Sequence, residues 1–167
     1  LYLVLPMIGL LGYDSSDPLE VYPNHEADDV GGYVARADFA ILSGGVPVIA
    51  FATARGAGDM ATKRGELASY VNAWSSAKLG IVTNGILFEF YVDSHVPGHM
   101  DDEPFLTLDL ETAAQSGVPD EVLEALTYAT KGAFDPDMIA EKAHLQVVRK
   151  RLRTAFIEEA QSPSADL

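Results

Sequence analysis

Asp38 is the first residue in this sequence whose type and setting suggest chemistry. It stands alone as a carboxylate in Ala37-Asp38-Phe39-Ala40-Ile41-Leu42, and an acid buried among apolar neighbours must find partners or shift its pKa. His95 and His99, with Asp93, Asp101 and Asp102 nearby, supply residue types that ligate zinc. A His-x₃-His pair serves a metal when a helix brings both rings to one side, and Pro97-Gly98 between them breaks any helix. These are therefore read as loop histidines. His25 and His144 show no evident partner in the sequence. Arg149-Lys150-Arg151-x-Arg153 invites a nucleic-acid reading, but four cations in five positions spread around a helix and few aromatics interleave. A solvated face, or a salt-bridging surface for an acidic neighbouring copy, is the simpler reading. The absence of cysteine excludes disulfides, thiolate metal sites and cysteine nucleophiles.

Composition bounds these readings. With 167 residues, 48% of them hydrophobic, the chain has the size of one ordinary domain able to bury a core without staples. No stretch reaches about 18 uninterrupted apolar residues, so no membrane span is expected. The formal net charge of −14 opposes unassisted association with a polyanion such as DNA. That charge is uneven: Lys142, Arg149, Lys150, Arg151 and Arg153 are five of the 11 cationic side chains and crowd one C-terminal stretch.

Asp38 is held by a predicted hairpin. Tyr33 to Leu42 and Val46 to Thr53 are β-branched or apolar runs on either side of Ser43-Gly44-Gly45, a short glycine turn. Before it, Leu1 to Leu11 reads as a buried helix, with Pro6 forcing a kink or a later start. This stretch lacks the basic flank and Ala-x-Ala site of a secretory leader, and a first residue other than Met implies upstream sequence. The turn formers Asp14-Ser15-Ser16-Asp17-Pro18 and Pro23 predict a loop from Tyr13 to Pro23. After the hairpin, Met60, Leu67, Val71 and Trp74 recur near the helical period, predicting a helix over Asp59 to Ser75 with Gly56 and Gly58 ahead of it. Leu79 to Thr83 and Ile86 to Val92 form a second hairpin about Asn84-Gly85, with positive φ expected at both turn residues.

Ser94 to Glu103 reads as loop, Phe105 to Leu110 as a short strand and Val118 to Lys131 as helix. The last helix, about Pro136 to Glu159, carries Leu145, Val148, Leu152 and Phe156 on one stripe with the basic residues mostly off it. Stripe and Trp74 alike are read as core, and the tail Gln161-Ser162-Pro163-Ser164 as loosely held. The element order predicts an α/β fold with a mixed sheet flanked by helices. Residues 1–112 are taken as the α/β domain and 113–167 as a C-terminal helical extension packed on the same domain or on a partner.

Several spaced segments carry a resemblance. Leu5-Pro6 through Leu11-Gly12-Tyr13-Asp14, Asp17-Pro18-x-Glu20-Val21, Ala37 to Leu42, Gly45-x-Pro47-Val48-Ile49, Gly80 to Gly85 and Met100-Asp101-x-Glu103-Pro104-Phe105 occur in that order. Together they resemble the N-terminal nuclease domain of type I restriction enzyme R subunits and its stand-alone relatives, many of them in phages. That family belongs to the PD-(D/E)xK nucleases, so the resemblance implies a restriction-endonuclease-like fold. It also implies Mg²⁺ chemistry, with an Asp on one strand and an acid-x-Lys on the next. Strand periodicity accounts for that spacing, because residues i and i+2 share a face.

Asp38 takes the first position, but the acid and the lysine fall on Ala52 and Ala54. Arg55 is one residue out of phase. A single carboxylate is a poor Mg²⁺ site. A rearranged site would need a migrated acid. The best placed is Glu66, which with Tyr70 matches a Gln and a Tyr four residues apart in the family; Glu20 and Glu26 are other sources.

The resemblance thus implies a catalytically inactive nuclease fold with a binding or assembly role. A phage capsid-associated or decoration protein is one concrete form, and its place would be the cytoplasm or a virion. Protein partners or self-assembly are expected, with no cofactor. The alternatives are a metal-dependent DNA endonuclease using Asp38 and Glu66 with Mg²⁺, and an inactive domain that grips DNA through its C-terminal basic helix.

Overall fold

A computed structural model of the chain describes residues 3–27, 34–96 and 98–161; the expected helix start at Leu1, the strand start at Tyr33, Pro97 and the tail from Ser162 lie outside them. Gly44 and Gly45 both adopt positive φ, 59° and 83°, a region that costs a side-chain-bearing residue dearly. They tie strand β2 (Arg36–Ser43) to strand β3 (Val46–Thr53) in the expected hairpin. From β3 the chain crosses through helix α2 (Met60–Ala73) to strand β4 (Leu79–Thr83), which pairs parallel to β3. Strand β5 (Leu87–Val92) returns antiparallel, and strand β6 (Leu106–Asp109) closes the series. With strand β1 (Val21–Glu26) on the far edge, the six strands lie in chain order, β3–β4 being the parallel neighbours. The fold is a mixed α/β sheet flanked by helices.

The period-two alternation of the strands sorts two cores. Ile49 and Phe51 of β3, Ile81 of β4 and Phe88 and Phe90 of β5 face one side, where helix α1 (Val4–Leu10) contributes Val4 and Ile8. The same cluster takes Ala125 from helix α4 (Asp120–Thr127), and Ile139 and Ala143 from helix α5 (Ile139–Gln161). The C-terminal helices therefore pack onto the sheet. Across the sheet, Ala50, Ala52 and Val82 meet Leu67, Tyr70 and Val71 of α2. Small side chains on that face let the helix settle close. At Gly80 a Cβ would lie 2.9 Å from Met100 Sδ and 3.0 Å from Leu67 Cδ2.

Several expectations are corrected. The loop forecast from Tyr13 to Pro23 ends sooner, because Val21 already belongs to β1. Turns do form at Asp14 and Asp17, whose carboxylates accept from the Ser16 and Leu19 amides at 2.9 Å. Pro23 concealed the strand, yet an edge position tolerates a residue with no N–H. In α1, Pro6 stands in the first turn, where N–H groups lack helical partners anyway, so the helix starts late and does not break. Helix α3 (Leu110–Ser116) was missed for want of an apolar period; the Asp109 carboxylate caps it, accepting from Glu111 N at 2.9 Å.

Only Gly85 in the Asn84-Gly85 turn has positive φ. Asn84 Oδ1 instead accepts from the amides of Ile86 and Leu87 at 3.0 and 2.8 Å, a side-chain turn that spares Asn84 the strained backbone. The largest correction concerns α5. Leu145, Val148, Leu152 and Phe156 are not core but exposed, Phe156 at 74%, because they lie on the face of α5 opposite Ile139 and Ala143, which pack into the core.

Candidate functional site

The β2–β3 hairpin sets the site. Phe39 pairs with Phe51 across it, which places Asp38 beside Ala52. Beyond that pair the ladder stops, and the Asp38 side chain takes over as acceptor: Oδ2 receives the Thr53 amide at 2.6 Å and the Thr53 hydroxyl at 2.8 Å. Ala52 and Ala54 are buried against the α2 side, at 2% and 8% exposure. They offer that side methyl groups, with neither ligand atom nor amine. Arg55 is exposed, in keeping with its phase.

Helix α2 supplies the remaining polar groups. Lys63 Nζ and Glu66 Oε2 are 2.6 Å apart, one turn along the helix and half-buried. The hydrogen bond to Glu66 holds the Lys63 ammonium above its ordinary pKa, and the charges of Glu66, Asp38 and Asp59 act in the same direction. Lys63 thus lies in the field of both Asp38 and Glu66. The sequence reading overlooked it because the lysine was sought two residues along the strand from the acid, and here it comes from a helix. One turn beyond Glu66, Tyr70 is fully buried and desolvation pushes its phenol pKa up.

The Tyr70 hydroxyl shares a hydrogen bond of 2.8 Å with His25 Nδ1. His25 is therefore not partnerless: its ring packs edge-on to Tyr22, Tyr70 and Trp74 at 5.4, 5.9 and 5.7 Å between centroids. Burial holds the imidazole below its ordinary pKa. Trp74 is half-buried at the margin of the smaller core, and its Nε1 proton meets no acceptor. His144 likewise has a neighbour, the His95 ring at 6.2 Å.

These residues do not fit Mg²⁺ as they stand. A hard cation recruits carboxylates that converge on it, but one Asp38 oxygen already accepts two hydrogen bonds, Ala52 and Ala54 contribute nothing, and Glu66 is bound to an ammonium. Glu20 and Glu26, the other sources considered, are paired with Lys131 (2.7 Å) and Arg36. Among the described residues no group of three or more His, Cys, Asp or Glu is arranged to hold a metal ion.

The histidine loop forms a separate cluster. Asp101 accepts from the Ser94 amide at 3.2 Å and from its hydroxyl, and lies 3.1 Å from His95 Nδ1. Ser94 Oγ is also 2.9 Å from that same nitrogen. With serine and aspartate on one ring nitrogen the imidazole cannot relay a proton between them, so this is not a nucleophilic triad. A cavity of about 370 Å³ opens beside it, with Met100, Phe105 and Val147 among its walls.

The C-terminal cations are not a free polycation. Arg149 Nη1 is 3.2 Å from Glu124, Arg153 pairs with Glu121, and Arg151 Nη2 lies 4.0 Å from Glu103. Lys142 Nζ sits 5.3 Å from the Tyr128 ring centroid, and Lys150 joins Arg149 and Arg153 on the groove between α4 and α5. Among the described residues no helix is long and apolar enough to cross a membrane. Compared with family models, with curated proteins and with solved structures, the chain finds no match.

Proposed function

We propose that this chain is a non-catalytic protein on a nuclease-like scaffold, acting through binding or assembly. The observation that carries this reading is the engagement of Asp38 by Thr53 beside the buried methyls of Ala52 and Ala54. A phosphodiesterase of the implied class needs converging carboxylates around its cation and a free base or lysine for the attacking water. Here the strand provides one acid, already hydrogen-bonded, and the nearest ammonium neutralises the second acid. The net charge of −14 and the internally paired arginines weigh against DNA as the partner.

One observation favours a second reading, a rearranged endonuclease. Two acids and a lysine do share one neighbourhood, with Lys63 sensing Asp38 as well as Glu66. Supercoiled plasmid incubated with the protein and Mg²⁺ or Mn²⁺ separates the two. The expected result is intact plasmid at every metal concentration. Nicking that disappears in both Asp38→Ala and Lys63→Met would overturn the non-catalytic reading and establish the rearranged site.

A further inference from the structure

The apolar stripe of α5 faces away from the body, and helical phase explains how. Ile139 and Ala143 are buried in the larger core, at 1% exposure each. At about 100° per residue, Leu152 comes half a revolution round from Ala143, and Leu145, Val148 and Phe156 fall within about 40° of Leu152. Their exposures are 51% for Leu145, 37% for Val148, 55% for Leu152 and 74% for Phe156. Side chains so exposed make an apolar patch on the order of 400 Å², the size of the largest patch on a typical monomer, which is often functional. The stripe runs roughly 17 Å along the helix.

Charge selects the occupant. The cations beside the stripe already hold acids of their own chain: Arg149 with Glu124, Arg153 with Glu121, Arg151 near Glu103. An anionic membrane or a nucleic acid would have to displace those acids while approaching a chain of net charge −14. A second copy carries the same net charge, a repulsion that salt screens beyond about 8 Å at 0.15 M, but it leaves those ion pairs in place. It brings an identical stripe between identical charge-balanced flanks, the self-complementarity that a two-fold contact requires.

We propose that two copies of this chain pair helix against helix through the outer face of α5, centred on Leu152 and Phe156; this deepens the assembly reading above and rests on it. Two such stripes bury about 800 Å² of apolar surface, and with their flanks reach only the lower end of the range for specific interfaces, about 1,200 Å². The pairing is therefore reversible and depends on concentration.

Sedimentation velocity over a wide concentration series tests it. The expected result is a shift of weight-average mass from monomer towards dimer as concentration rises. Leu152→Glu/Phe156→Glu should remain monomeric throughout with unchanged circular dichroism, since both side chains are exposed. Leu19→Glu, at an 81% exposed position on another surface, should dimerise as the parent does. Because the chain lacks cysteine, Leu152→Cys gives an independent readout: oxidation should yield a covalent dimer, and Leu19→Cys should not. A monomer at every concentration, a dimer that survives the double substitution, or loss of dimer in Leu19→Glu would each overturn the proposal. So would a monomer that instead sediments with anionic vesicles through Leu152 and Phe156. A monomer that leaves plasmid intact removes this inference and keeps the non-catalytic reading; a dimer that nicks plasmid does the reverse.

Discussion

His25 and Asp38 show how far a side chain's neighbours decide its chemistry. Asp38 is the acid that the resemblance singles out, yet its nearest donors are the amide and hydroxyl of Thr53, so it closes the end of a β-ladder. His25 is enclosed by aromatic rings, and burial lowers its pKa from the ordinary value of 6.5. Linkage gives the sign. The unfolded chain takes up the proton as pH falls through about 6.5, whereas the folded chain resists until lower pH, so stability is full above that range and declines below it. In the tautomer whose Nδ1 accepts from the Tyr70 hydroxyl, protonation also removes that acceptor. Thermal unfolding followed from pH 8 towards pH 5 should show the melting temperature falling below about pH 6.5, and His25→Phe should flatten that part of the decline. A His25→Phe profile superimposable on the parent's would remove His25 as the cause.

At the scale of elements, the approach of α2 to the sheet governs what the site can contain. Leu67, Tyr70 and Val71 rest on Ala50, Ala52 and Val82, and larger groups at the alanines would lift the helix. Among the described glycines Gly80 leaves the least room for a side chain. Gly80→Ala should cost about 1 kcal/mol, since the far ends of Met100 and Leu67 can yield, and Gly80→Val up to about 3 kcal/mol as the overpacking deepens. Urea unfolding would measure both, and a valine variant as stable as the parent would show that α2 is not closely seated. The hairpins were legible from Ser43-Gly44-Gly45 and Asn84-Gly85 because glycine leaves a local signature. Strand β1 and helix α3 were not. Pro23 masked the one, and seven residues without an apolar period gave no sign of the other.

For the whole molecule, a net charge of −14 means that the folded chain holds its carboxylates closer together than the unfolded one does. Raising salt from about 0.01 M to 0.15 M shortens the screening length from roughly 30 Å to 8 Å. That relieves the repulsion more than it weakens exposed ion pairs such as Arg149–Glu124, which contribute about 0–1 kcal/mol each. The melting temperature should therefore rise across that interval by a few degrees, about 1 kcal/mol of stability at this chain length. A fall would mean that the ion pairs between α4 and α5 outweigh the overall repulsion.

Local chemistry in the sequence determined the hairpin turns, the strand alternation and the long helices, because each depends on neighbours a few residues away. Tertiary structure alone decided which face α5 turns to the body, that Lys63 senses Asp38, and that His25 lodges among aromatics. The stripe on α5 shows the reason. Helical periodicity reveals that apolar side chains share a face, whereas burial depends on which face the helix turns to the sheet, and that is set by packing between residues far apart in the chain.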